Sequence, residues 1–185
     1  WENVLQKDKF LDILQKFISY QKETKRIILP DGKIRTDVTE KIIFPRYHQL
    51  DVVRKLVAHT KENGPGHNYL IQHSAGSGKS NSIAWTAYRL ASLHDAENRA
   101  IFNSVIIVTD RKILDSQLQE TINGFDHTLG SVVLIDEKKS SKDLLKAVQD
   151  GKRIIVTTLQ KFPVIYDLVG DNAGKSFAVI VDEAH

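Results

Sequence analysis

The sequence predicts an α/β protein built on a doubly wound parallel sheet, with an N-terminal helix and a short hairpin ahead of it. Two observations predict this class. From Tyr69 onward, short runs rich in Val and Ile recur without polar alternation, at Tyr69–Ile71, Val105–Val108, Val132–Ile135, Ile154–Val156 and Ala178–Val181. Helical stretches starting near Gly78, Lys112 and Ser141, and a shorter one near Leu159, separate them. Unalternated strands separated by helices are parallel strands covered on both faces. The 185 residues suffice for one well-filled core, and 41% hydrophobic with 26% charged residues is ordinary for a folded domain.

The elements follow in order. Apolar residues at Phe10, Ile13, Leu14, Phe17 and Ile18 have helical spacing and predict an amphipathic helix within Glu2 to Tyr20. Pro30, Asp31 and Gly32 between apolar residues predict a short hairpin over Arg26 to Arg35, because proline presets φ and glycine tolerates positive φ. A second helix is expected from about Arg46 to Glu62, followed by a loop of breakers from Asn63 to Asn68. The expected organisation is a connector over residues 1–44 and an α/β domain over residues 45–185.

The stretch HSAGSGKS, His73 to Ser80, joins an apolar run to a helical pattern. A phosphate chain concentrates negative charge, and the N–H groups of a helix N-terminus are aligned donors for it. A backbone that wraps so closely must lack bulky side chains, which Ala75, Gly76, Ser77 and Gly78 satisfy. Lys79 supplies a point charge for the β/γ-phosphates and Ser80 a hydroxyl for Mg²⁺. This is a P-loop, although the strict pattern would place glycine where His73 stands. A glycine-rich connection that merely tolerates small residues is the bland alternative, and the intact Gly-Lys-Ser weighs against it.

Such a loop requires carboxylates for the metal and for the attacking water. The run AVIVDEAH, Ala178 to His185, ends an apolar strand in two acids, at the carboxyl edge where ligands of these sheets bind. Asp182 is expected to hold Mg²⁺ and Glu183 to orient or deprotonate water. Asp136 and Glu137 also end an apolar run, but Lys138 and Lys139 follow them and would compete with a metal. We therefore expect the chemistry at Asp182 and Glu183.

Here the motifs identify a family. The DEAH quartet, Asp182 to His185, and the P-loop with glycines at 76 and 78 resemble superfamily 2 motors. FPRYHQ, Phe44 to Gln49, resembles their adenine-recognising segment. TDRKILDSQL, Thr109 to Leu118, and VTTLQKF, Val156 to Phe162, resemble the forms found in the motor (R) subunit of type I restriction enzymes. The resemblance covers about Ile42 to His185. It implies a RecA-like first motor domain, hydrolysis of ATP with Mg²⁺, and translocation of double-stranded DNA. It also implies the specificity and methyltransferase subunits as partners. Tyr47 and Gln49 would then bind adenine. Thr109, Asp110, Arg111, Gln117, Thr157, Thr158, Gln160 and Lys161 would lie on the DNA side, with Thr109, Arg111, Gln117, Thr158, Gln160 and Lys161 expected to contact the backbone.

Other features limit the reading. With no cysteine, disulfides, thiolate metal sites and thiol catalysis are excluded, which fits a cytoplasmic setting. No apolar run has the length of a membrane span, and the first residues lack the layout of a secretory signal. A net charge of +3 does not by itself predict nucleic-acid binding. The seven histidines form no i, i+4 pair, so surface or core positions are expected. Trp85 and Tyr88 read as core. The chain has no methionine and stops at the DEAH box, which predicts a piece of a longer protein without its second motor domain, arginine finger or a convincing nuclease set. Rival readings are another superfamily 2 DNA or RNA helicase, a P-loop switch or kinase, and a non-hydrolysing P-loop module. A GTP switch would need an Asn-Lys-x-Asp motif, which is absent.

Overall fold

The computed structural model describes residues 2–28, 32–109, 118, 121–122, 124–125, 132–135, 139–161 and 174–182. They fall into two compact units, Trp1–Arg46 and Tyr47–His185.

The first unit holds helix α1 (Glu2–Leu5), helix α2 (Lys7–Lys16), and strands β1 (Ser19–Ile28) and β2 (Ile34–Ile43). Ile13 and Phe17, four residues apart, are buried, whereas Phe10 and Leu14 are more than a third exposed. The hairpin is much longer than Arg26 to Arg35: it pairs antiparallel in register from Ser19↔Ile43 to Ile28↔Ile34. The reason lies in the cross-strand partners. Tyr20 faces Ile42 in register, and Lys22 makes a 3.0 Å ion pair with Glu40. Such β-branched, aromatic and opposite-charge pairs each favour the ladder. Gly32 takes φ 77°, the positive value expected of it, while Pro30 and Asp31 lie outside the described residues.

The second unit opens with α3 (Tyr47–Asn63), close to the expected span. Its buried residues, Gln49, Leu50, Val53, Leu56, Val57 and Thr60, form one helical stripe. The chain breaks at Gly64 and Gly66, both at positive φ. Next come α4 (Lys79–Ala91), β3 (Ser104–Thr109), β4 (Val132–Leu134), α5 (Ser141–Gln149), β5 (Ile154–Thr158), a 3-10 turn (Leu159–Lys161) and β6 (Phe177–Val181).

The four strands form one parallel sheet in the order β4-β5-β3-β6. Every residue of β3 and β5 is buried, as central strands covered on both faces require. Helix α4 packs on β3, β5 and β6 as well as on α3. Ala84, Ala87 and Ala91 on α4 are buried, and short side chains there allow a close approach. Trp85 is 1% exposed and meets Phe125 edge-on with ring centroids 5.4 Å apart, so it is core. Tyr88 donates its hydroxyl proton to the Ile122 carbonyl at 2.8 Å. Leu144, Ala147 and Val148 of α5 pack with Ile135 and Ile155.

One expected strand does not form. Tyr69–Ile71 takes no strand conformation, and Leu70 is 89% exposed. The Tyr69 hydroxyl is instead engaged by α3, at 2.8 Å from His59 Nδ1 and 3.3 Å from Thr60 Oγ1. Three apolar residues make only a short ladder, and one of them is already tied to a helix.

Candidate functional site

The expected phosphate loop is the turn that leads into α4. Ser77 N–H donates to Ser74 O at 3.3 Å, Gly76 has φ 71°, and Gly78 is the N-cap of α4 with φ 82° and ψ 40°. That is left-handed backbone, which glycine adopts without steric cost. The Gly78 carbonyl begins the helix by accepting from Asn81 N–H at 3.1 Å and Ser82 N–H at 3.3 Å. Lys79 and Ser80 are therefore the first two helical residues, where backbone N–H groups have no partner within the helix. The Ser77 hydroxyl is buried and has no hydrogen-bond partner among the described residues. A small-residue cradle, an orphaned hydroxyl, a helix N-terminus and a lysine fit the polyphosphate of a nucleotide.

The first turn of α3 closes on this loop from one side. Gln49 is 2% exposed, and its Nε2 donates to Gly78 O at 2.9 Å and to Ser77 O at 3.3 Å. His48 Nε2 lies 3.1 Å from the same Ser77 oxygen, so it carries the proton of that bond. The His48 ring meets His73 edge-on, with centroids 5.0 Å apart. Burial first, then the charges of His48 and Lys79, hold the His73 imidazole below its usual pKa. Tyr47 is 66% exposed. Sequence reasoning named Gln49 for the base; its engagement with the loop, 28 and 29 residues away, left no local signal.

The carboxyl edge of the sheet supplies the second group of residues. Thr109 ends β3 and pairs in register with Thr158, the end of β5. Asp182 follows β6 directly, and its N–H donates to Val108 O at 2.9 Å, so the ladder continues to it. Thr158, Thr109 and Asp182 thus lie level across three neighbouring strands. The hydroxyls of Thr109 and Thr157 are buried without a hydrogen-bond partner among the described residues. Beyond Thr158, Gln160 is exposed, and Lys161 Nζ donates to the Lys139 carbonyl at 2.9 Å. Asp110, Arg111, Gln117, Asp136, Glu137, Glu183 and His185 lie outside the described residues. Strand β4, which precedes Asp136, is at the opposite edge of the sheet from β6.

This arrangement has counterparts among known proteins. A family model described as SWI2/SNF2 ATPase matches residues 48–185. The chain belongs to the SWI2/SNF2 ATPase family. The match spans α3, the phosphate loop and all four parallel strands, so the sheet is the RecA-like α/β architecture expected of it. As a SWI2/SNF2 ATPase, the chain is also similar to type I restriction enzyme endonuclease subunits, as its motifs led us to expect. It is 26% identical over 98% of its length to the HindI subunit of Haemophilus influenzae. It is 34% identical over 63% of its length to a subunit of Staphylococcus saprophyticus, and 29% identical over 80% to one of Staphylococcus aureus. It spans 16%, 11% and 15% of those three relatives. No solved structure matches it significantly. Among the described residues, no helix is long and apolar enough to cross a membrane.

Proposed function

We propose that this chain carries the nucleotide site of an ATP-driven motor that translocates double-stranded DNA, as part of a type I restriction enzyme R subunit. The observation that carries the reading is the phosphate loop: left-handed Gly78 opening α4 at Lys79 and Ser80, with the Ser77 hydroxyl unpartnered among the described residues. ATP with Mg²⁺ is the nucleotide that an ATPase family member would take.

In this reading, Ala75 to Gly78 wrap the phosphates and Lys79 neutralises charge between the β- and γ-phosphates. Ser80 and Asp182 hold Mg²⁺, which when bound offsets charge that develops on the phosphoryl oxygens. Glu183 takes the proton of the attacking water. Tyr47, exposed at the start of α3, would cover the base. Thr109, Arg111, Gln117, Thr158, Gln160 and Lys161 contact the DNA backbone, which positions the duplex without reading its sequence. Residues 1–44 are a connector and residues 45–185 the motor domain. Specificity and methyltransferase subunits would complete a cytoplasmic complex; the similarity to endonuclease subunits of type I restriction enzymes supports membership of a multi-subunit assembly.

The test is a pair of variants in the full-length protein. Glu183→Gln is expected to keep ATP bound while lowering DNA-stimulated hydrolysis by roughly a hundredfold or more, since an amide cannot take the proton. Glu137→Gln is expected to change hydrolysis little. Steady-state phosphate release checks both, and the reverse ranking would move the chemistry to the end of β4.

A further inference from the structure

We infer that His59 and His67 form a two-imidazole site for a divalent transition ion of the Zn²⁺ class, with Tyr69 as the positioning residue that orients His59. The inference does not rest on the reading of the phosphate loop. Helix α3 ends where Gly64 N–H donates to Thr60 O at 2.9 Å, and Gly64 and Gly66 then take φ 72° and 98°. Two left-handed residues so close together turn the chain back on the helix it has just left. His67 thereby returns to His59. Their rings are nearly perpendicular, at 87°, with centroids 5.2 Å apart. With Zn–N bonds of about 2.1 Å and tetrahedral angles, two imidazoles on one ion have ring centres roughly 5 Å apart. The pair already has that spacing.

The nitrogens are available to an ion. The Tyr69 hydroxyl lies 2.8 Å from His59 Nδ1 and 3.3 Å from Thr60 Oγ1. It carries one proton, and giving that proton to Thr60 leaves its oxygen to accept from His59 Nδ1–H. Nε2 then keeps its lone pair, as in metal-binding histidines whose other nitrogen donates to a fixed acceptor. Among the described residues, neither His59 Nε2 nor either nitrogen of His67 has a hydrogen-bond partner. Both side chains are exposed, so an ion reaches them from solvent. The other perpendicular pair, His48 and His73, differs, because His48 Nε2 is engaged by Ser77 O. Among the described residues, no group of three His, Cys, Asp or Glu side chains is placed to hold a metal. Two imidazoles and water therefore make up the shell, and the ion exchanges readily. Imidazole suits Zn²⁺, Cu²⁺ or Ni²⁺, whereas Mg²⁺ is a hard ion that takes oxygen ligands. A bound ion would tie the end of α3 to the run Tyr69–Ile71, which leads towards the phosphate loop.

Calorimetric titration of Zn²⁺ into the full chain, free of any added histidine tag, tests this. The wild type is expected to bind one ion per chain, and Mg²⁺ in large excess should not displace it. His59→Gln and His67→Gln each remove one ligand from an exposed position. Each should weaken binding by about tenfold or more while leaving the metal-free melting temperature close to that of the wild type. Zn²⁺ should raise the melting temperature of the wild type and not that of His67→Gln. Tyr69→Phe keeps the ring, loses the orienting oxygen and should weaken binding by about tenfold. Co²⁺ in place of Zn²⁺ has a visible absorption that reports its ligands. That absorption should lose intensity in either histidine variant and change in Tyr69→Phe, which a merely structural role of Tyr69 would leave unaltered. Absence of Zn²⁺ binding by the wild type would overturn the inference, as would unchanged affinity in both histidine variants or binding lost only in His48→Gln. Unchanged affinity and an unchanged Co²⁺ spectrum in Tyr69→Phe would overturn the orienting role.

Discussion

Gly78 is the residue on which the local geometry turns. It must hold φ 82° and lie against the Gln49 amide. A side chain there meets two obstacles at once: left-handed backbone, costing about 1–2 kcal/mol for an L-residue, and a close contact with a buried group. Gly78→Ala is therefore expected to lower stability by roughly 2 kcal/mol and to weaken nucleotide binding at the same time. Gly76→Ala should cost less, since a Cβ on Gly76 meets nothing within 4 Å, although its φ is also positive. Denaturant midpoints of the two variants check the ranking, and equal midpoints would contradict it. The pattern Gly-Lys-Ser made the tight turn into α4 legible in the sequence, and it is on this turn that we propose the phosphate contacts. The tie from Gln49 was not legible, because a buried glutamine and a base-reading glutamine are the same letter.

At the scale of elements, helix α5 shows how a start signal is built. Asp143 accepts from the Ser140 backbone N–H at 2.6 Å and from its hydroxyl at 2.9 Å. The backbone bond first, then the hydroxyl, with Lys139 and Lys146 nearby, holds the Asp143 carboxyl below its usual pKa. A carboxylate with a depressed folded pKa adds stability that is fully present above its unfolded value, near 3.9. That stability is lost as pH falls through the folded value. The melting difference between wild type and Asp143→Asn should thus be present at pH 7 and shrink as pH falls through the carboxylate range. A difference constant with pH would contradict the assignment. Elements with strong local patterns were legible in this way: α3, α4, α5, and the buried runs of β3 and β5. Two were misjudged for physical reasons. The hairpin outgrew its turn signal because cross-strand pairs extend far beyond Pro30 to Gly32. Tyr69–Ile71 read as a strand by composition, but its tyrosine is held by α3.

At the scale of the whole molecule, two compact units lie along one chain, and the family match begins at the second. DNA contact belongs to this scale, because its proposed groups come from the ends of β3 and β5 together. Lys161→Ala in the full-length protein is expected to weaken duplex binding about equally across sequences. It should lower the salt slope by about one unit for the lost phosphate contact. Sequence-dependent weakening with an unchanged slope, measured by titration against salt, would point to base reading instead. The central claim, however, is that the turn into α4 is a polyphosphate site. Calorimetric titration of Mg·ATP into the wild type and Lys79→Ala tests it most directly. We predict saturable binding by the wild type and a loss of roughly a hundredfold or more in Lys79→Ala, since the loop loses its lysine charge. Equal affinity of the two proteins would contradict the claim.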